Sequence, residues 1–206
     1  SGANSIPKRL VATTLNTLQH CYRPLFQVQE AQYQAILDIK NHQVTIQDVD
    51  YFLAKAQFTD IPEMLGIERA VYGGKTPWDS SAFASELKRG QDRLYLVVRR
   101  HDRLLAFIGC TFNEVKSDAH ITNIAVVPDF QSRGLGHYLI AIMVKKARDL
   151  SLKQVSLEVR ASNTRAQQLY QDLGFEKKGL KKGYYFGDHE DAVDMVLMTG
   201  AESSDD

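Results

Sequence analysis

The stretch NIAVVPDFQSRGLGHYLIAIMVKKA (Asn123–Ala147) constrains the fold of this chain more than any other. Its first residues are apolar and β-branched, as in a buried strand, and its last residues carry helical spacing. Between them stand Pro128, Asp129, Gln131, Arg133, Gly134 and Gly136. Proline lacks an amide hydrogen and so ends strand pairing at a fixed point. Glycines let the backbone adopt positive φ and bring its amides close to a ligand. The P-loop pattern fails because no lysine follows Gly134 at the required place. The dinucleotide fingerprint fails because Leu139 stands where its third glycine belongs. What remains is QxRGxG at the start of a long helix. The first amides of a helix have no intrahelical acceptor and carry the positive end of the macrodipole, so they suit a phosphate, and Arg133 would add a cation. On the turn alone, a plain strand-to-helix connection with one exposed arginine is an equal reading.

The chain has 206 residues, 44% of them hydrophobic, enough for one substantial core. Lys plus Arg and Asp plus Glu balance at 25 each, and the isoelectric point is near 7.0. No global charge draws such a chain to nucleic acid or to an anionic membrane, so neither is expected as a direct partner. Cys21 and Cys110 have neither metal-ligand nor redox spacing and read as reduced, partly buried thiols of a cytoplasmic protein. His101 and His120 lack ligand-spaced partners, so no metal is expected. No apolar run is long enough to span a bilayer, and no signal peptide is expected.

From about Asp48 the pattern alternates between α and β. VDYFLAKA reads as a strand, and TDIPEMLGIERAVYG as a helix with Asp60 as cap, Pro62 in the first turn and Gly73 as stop. DSSAFASELKRG reads as a second helix. RLYLVVRR and LLAFIGCTF form a hairpin across HDR, and HITNIAVV is the next strand. The helix after the glycine turn runs to about Leu150 and presents Leu135, Leu139, Ile142 and Met143 on one face. QVSLEVR is a strand, NTRAQQLYQDLGF a helix ended by Gly174, and GYYFGDHEDAVDMVLM a closing hairpin. EKKGLKKG reads as a solvated basic hairpin, and DHED as a solvated acidic turn that could also attract a basic tail. The expected organisation is an extension over residues 1–48, a domain over 49–199 and an acidic disordered tail over 200–206. In the extension, KRLVATTLNTLQHCY and QEAQYQAILDIK have helical spacing and LFQVQ alternates.

The turn Gln131–Gly136 resembles the QxxGxG/A motif of the GCN5-related N-acetyltransferase (GNAT) superfamily, which cradles the pyrophosphate of acetyl-coenzyme A. LEVRASNTRAQQLYQDLGF, TPWDSSAF and GYYFGDHEDA are similar to segments of the RimI-type members, which acetylate the N-terminal alanine of a small-subunit ribosomal protein. These four segments occur in the family's order, and the likeness runs from about Asp60 to Thr199. It implies an α+β, three-layer GNAT fold: a mixed, mostly antiparallel sheet splayed between its fourth and fifth core strands, with helices on both faces. It also implies direct transfer from acetyl-CoA, the co-substrate, to a protein N-terminus in a ternary complex.

Such transfer needs a neutral amine, a stabilised carbonyl oxygen and a proton for the departing thiolate. An α-amine with a reference pKa of about 8 is far closer to neutral than a lysine at about 10.4. Glu158, one acid in a mostly apolar strand, is the candidate base, more effective if burial lifts its pKa; by alternation it could instead face solvent or Arg160. Tyr170 is the candidate acid, or else a core aromatic on the stripe of Ala166, Leu169 and Leu173. The resemblance assigns the base to Glu158 and the acid to Tyr170. It gives coenzyme contacts to Ile124, Ala125 and Val126, with the Val126 amide at the acetyl carbonyl, to Gln131, Ser132, Arg133, Gly134, Leu135 and Gly136, and to Asn163 and Tyr170. Asn163 also suits a helix cap. Trp78, Tyr184 and Tyr185 could wall a slot for the acceptor peptide or be half-buried loop aromatics. A small-molecule amine or a lysine as acceptor, or a coenzyme-binding sensor without turnover, are the alternatives.

Overall fold

The computed structural model describes residues 29–74 and 78–200. The chain divides into two compact units, residues 1–38 and 39–206. In the first, residues 29–37 are helical, as the spacing of QEAQYQAILDIK predicts. KRLVATTLNTLQHCY, nearly all of LFQVQ, Cys21, Pro77 and the acidic tail beyond Gly200 lie outside the described residues.

The second unit holds one sheet of eight strands. These are β1 (His42–Ile46), β2 (Val49–Lys55), β3 (Arg93–Arg100), β4 (Arg103–Asn113), β5 (Asp118–Val126), β6 (Gln154–Arg160), β7 (Glu176–Lys181) and β8 (Ala192–Met198). Their order is β1-β2-β3-β4-β5-β6-β8-β7, and every neighbouring pair is antiparallel except β5–β6. Four helices connect them: α1 (Ile61–Tyr72), α2 (Ser80–Arg89), α3 (Leu135–Asp149) and α4 (Thr164–Asp172). α1 packs on β4 and β5, α2 on β3, and α3 on β4, β5 and β6, so helices cover both faces of the sheet.

Burial follows position. β3 and β4, central in the sheet, are buried almost throughout, as the apolar runs of LYLVV and LLAFIGC require. β6 alternates strictly: Val155, Leu157 and Val159 are buried, while Gln154, Ser156, Glu158 and Arg160 keep partial exposure. One face of β6 therefore belongs to the core and the other to a polar site.

β5 and β6 pair through three rungs only, Asp118–Gln154, Ala119–Val155 and His120–Ser156, and then part. The parting coincides with a bulge in β5. Ile121 opposes Cys110 and Asn123 opposes Gly109, which leaves Thr122 as the extra residue. A bulge bends its strand and increases its twist. The Tyr95 ring covers Gly109 so closely that a Cβ there would lie 2.2 Å from it, and the Tyr95 hydroxyl shares a 3.0 Å hydrogen bond with Thr122. The splay expected between the fourth and fifth core strands is this gap. It falls between the fifth and sixth strands because β1 adds one at the edge.

Several elements differ from the sequence expectation. The sheet starts at His42, inside the expected extension of residues 1–48. The closing hairpin is built from EKKGLK and AVDMVLM, while GYYFGDHED forms turns between them. Asp60 does not cap α1 with its side chain; the carboxylate accepts from the Gln57 amide and pairs with Arg99. Along α3 the core residue beside Leu135, Leu139 and Met143 is Ile140, and Ile142 is half-exposed. Cys110 is fully buried, which pushes its thiol pKa well up.

Candidate active site

The site is built around the gap. After Val126, Pro128–Phe130 make a single 3-10 turn and Gln131 returns to extended backbone. Gly134 takes φ 86°, the left-handed conformation that favours glycine, and α3 begins at Leu135. No side chain caps α3, and no acidic residue lies in its first turn. Its leading amides are therefore donors left for a ligand. The Gln131 side chain donates to the Val126 carbonyl at 3.0 Å, which ties the turn to the edge of β5.

Strand alternation fixes which backbone groups face the gap. The Val127 amide donates to Leu105 on β4, so Ala125 also faces β4, and Ile124 and Val126 turn their polar groups to the open side. The Tyr72 hydroxyl confirms this by donating to the Ile124 carbonyl at 3.0 Å.

Glu158 projects from the opposite edge, and two basic side chains meet its carboxylate: His120 Nε2 at 2.9 Å and Lys181 Nζ at 2.8 Å. Burial raises its pKa, but hydrogen bonds and charge from His120 and Lys181 outweigh burial and hold it down at about 2. The carboxyl is thus firmly ionised rather than lifted toward neutral pH. Arg160, a possible partner by alternation, instead holds Asp188 and Glu190 at 2.9 Å each. His120 continues the chain: Nδ1 lies 2.8 Å from Ser156 Oγ, and Ser156 donates to Asp118 at 2.9 Å. The result is a continuous polar file, Glu158–His120–Ser156–Asp118, along the exposed face of the paired strands.

α4 is set by two polar anchors. Asn163 caps it, accepting from the Ala166 amide at 3.1 Å, and the buried Gln167 side chain donates to the carbonyls of Arg160 and Ala161. These bonds place Tyr170 at the cleft, 6% exposed. Burial, then the nearby Tyr72 and Tyr185, push its pKa above the ordinary phenol value, so it stays protonated. Burial and Glu68 push Tyr72 up to about 12.

A cleft of about 1350 Å³ runs along the gap and collects most of the expected residues. Ile124, Ala125, Val126, Gln131, Ser132, Gly134, Leu135, Gly136, Glu158, Asn163 and Tyr170 line it, with Trp78 and Tyr185. Trp78 packs on Phe83, and the Tyr185 ring lies 4.1 Å below the Arg160 guanidinium. Two expected residues are not among the lining. The Arg133 guanidinium stacks on Phe130 at 4.5 Å. Tyr184 is 47% exposed, held edge-on to Tyr185. The cation that lines the cleft beside the turn is Arg165, which donates to Ser132 Oγ. Its position in the first turn of α4 opposes the helix dipole, a signal in the sequence that an anion belongs nearby. His120 and Tyr72 had no such signal, since the strand register and the α1 packing bring them in. The acidic turn is not freely solvated either: Arg160 pins it, and the Ser162 amide donates to Glu190.

Residues 60–175, more than half of the chain, match the acetyltransferase (GNAT) family. The chain belongs to that family. It is 36% identical over 141 residues to the [ribosomal protein bS18]-alanine N-acetyltransferase of Salmonella typhimurium, covering 68% of this chain and 91% of the relative. To the enzyme of the same name from Escherichia coli it is 32% identical over 147 residues, covering 70% and 95%. The crystal structure of the ribosomal-protein-S18-alanine N-acetyltransferase from Escherichia coli superposes with a TM-score of 0.65 at 29% identity, over 75% of this chain and 97% of that one. The GNAT chain is therefore an acetyl-CoA-dependent N-acetyltransferase, and the uncapped α3 amides, the left-handed Gly134 and the long cleft fit a diphosphate followed by an extended arm.

Proposed function

We propose that this protein transfers the acetyl group of acetyl-CoA to the N-terminal α-amine of a protein, the alanine start of a small-subunit ribosomal protein, as a cytoplasmic enzyme acting in a ternary complex. The observation that carries the reading is one cleft lined by the bare-amide turn, the ionised Glu158 and the protonated Tyr170. The ribosomal acceptor is supported by the names of the relatives.

The coenzyme supplies the activated acyl group. Ser132, Gly134 and Gly136 would hold its diphosphate, with Arg165 as the cation, and the Val126 amide would supply a donor for the acetyl carbonyl oxygen. Glu158 receives the acceptor's ammonium as a hydrogen-bond donor. Because its own affinity for a proton is low, Glu158 would pass the proton that the ammonium sheds on to solvent rather than keep it. The neutral amine nitrogen bonds to the carbonyl carbon and the carbon–sulfur bond breaks. Tyr170 would give its proton to the thiolate and take back the one that the amine nitrogen sheds as the amide forms, which restores the phenol. Tyr185 and Trp78 wall the acceptor end.

The test is mass spectrometry of a synthetic Ala-starting peptide incubated with the protein and acetyl-CoA, beside a lysine-containing blocked peptide and a polyamine. The expected product is one acetyl group on the α-amine. Modification confined to lysine or to the polyamine, or none, overturns the assignment.

A further inference from the structure

The β1–β2 hairpin precedes residues 60–175, where the family match lies, yet its tip reaches the glycine turn. Val44 and Ile46 are buried and hold β1 against β2. The two tip residues, Gln47 and Asp48, have φ of 49° and 63°, the turn whose twist matches the flanking strands. From this fixed tip the Gln47 side chain extends to Gly134. A Cβ on Gly134 would lie 2.9 Å from Gln47 Nε2 and 3.2 Å from Ile46 Cγ2. Gln47 also lines the cleft together with Ser132, Gly134 and Gly136.

We infer that Gln47 is a further coenzyme-binding residue, whose side-chain amide donates to the diphosphate held on the Gly134–Gly136 turn. This rests on the reading of that turn as the diphosphate seat. A carboxamide N–H against a phosphate oxygen is a charge-assisted bond that does not titrate with pH. The hairpin brings this donor from outside the strand-turn-helix unit, while Arg165 brings a cation from α4. Gly134 suits this place by its positive φ, and the absence of a Cβ leaves the Gln47 amide its space.

Calorimetric titration of the full chain with CoA, 3′-dephospho-CoA and pantetheine tests this. Gln47→Glu keeps the shape but removes the donor and adds negative charge. It is expected to weaken CoA and dephospho-CoA alike, by about tenfold or more, with pantetheine unchanged. Gln47→Lys restores a donor and is expected to bind both nucleotides at least as tightly as the parent. Unaltered CoA affinity in Gln47→Glu overturns the inference, as does an equal loss on pantetheine, which would mean general damage to the cleft. A loss on CoA with none on dephospho-CoA also overturns it, since the contact would then be with the 3′-phosphate. If the parent protein itself binds no CoA, the cofactor reading falls and this inference with it.

Discussion

Glu158 and Arg165 show how single side chains decide the chemistry. Glu158 has an ordinary pKa of 4.5, lowered to about 2 in the fold. A lowered folded-state value means stabilisation that is complete above about 4.5 and is lost as pH falls toward about 2. Glu158→Gln leaves His120 and Lys181 facing each other without their common anion. It is expected to cost about 2 kcal/mol near neutral pH, and the cost shrinks as the pH falls through that window. Urea denaturation of both proteins at a series of pH values measures it. The same variant is expected to lower kcat by about a hundredfold, and kcat within threefold of the parent would remove Glu158 from the proton path. For the coenzyme, Arg165→Ala is expected to raise KM for acetyl-CoA about tenfold, whereas Arg133→Ala, whose guanidinium rests on Phe130, changes it by less than about twofold. The reverse order would put the cation back on the turn itself.

Among the elements, the β4–β5 pair matters most, because its bulge lies where the gap opens. Gly109 is glycine because the Tyr95 ring and Asn123 Oδ1 occupy the space above it, with 2.2 Å and 2.7 Å to an added Cβ. The ring cannot withdraw without breaking its bond to Thr122 and leaving the core, where Tyr95 is 4% exposed. Gly109→Ala is therefore expected to cost about 3 kcal/mol, seen as a fall in Tm, and to reduce turnover in the fraction that stays folded. A Tm within a degree of the parent would show that the sheet absorbs the methyl group. α4 makes the complementary point: its position depends on Asn163 and Gln167, so Tyr170 reaches the cleft by capping and backbone anchoring rather than by apolar packing alone.

For the molecule as a whole, the edge strand β1 sets where the functional unit begins. Removal of residues 1–48, the boundary expected from sequence, deletes β1, exposes the pairing edge of β2 and uncovers the surface under Val44 and Ile46. Loss of two such buried side chains is worth about 3 kcal/mol or more, so Tm is expected to drop by several degrees. CoA affinity is expected to weaken with it. A shortened chain with unchanged Tm and affinity would show that β1 is dispensable.

What the sequence determined by itself is local. The proline and glycines after NIAVV, the capping Asn163, the apolar runs of the central strands and the order of four motifs settle the strand-turn-helix unit, the sheet class and the family, because each depends on neighbours within a few residues. What only the tertiary structure decided depends on register and on packing between distant segments. It placed His120 and Lys181 on Glu158, turned Arg133 onto Phe130 and Arg165 to the turn, and laid the β1–β2 tip against Gly134. A shift of one residue in strand register moves a side chain to the other face of the sheet, and no local pattern carries that information across the 37 positions between His120 and Glu158.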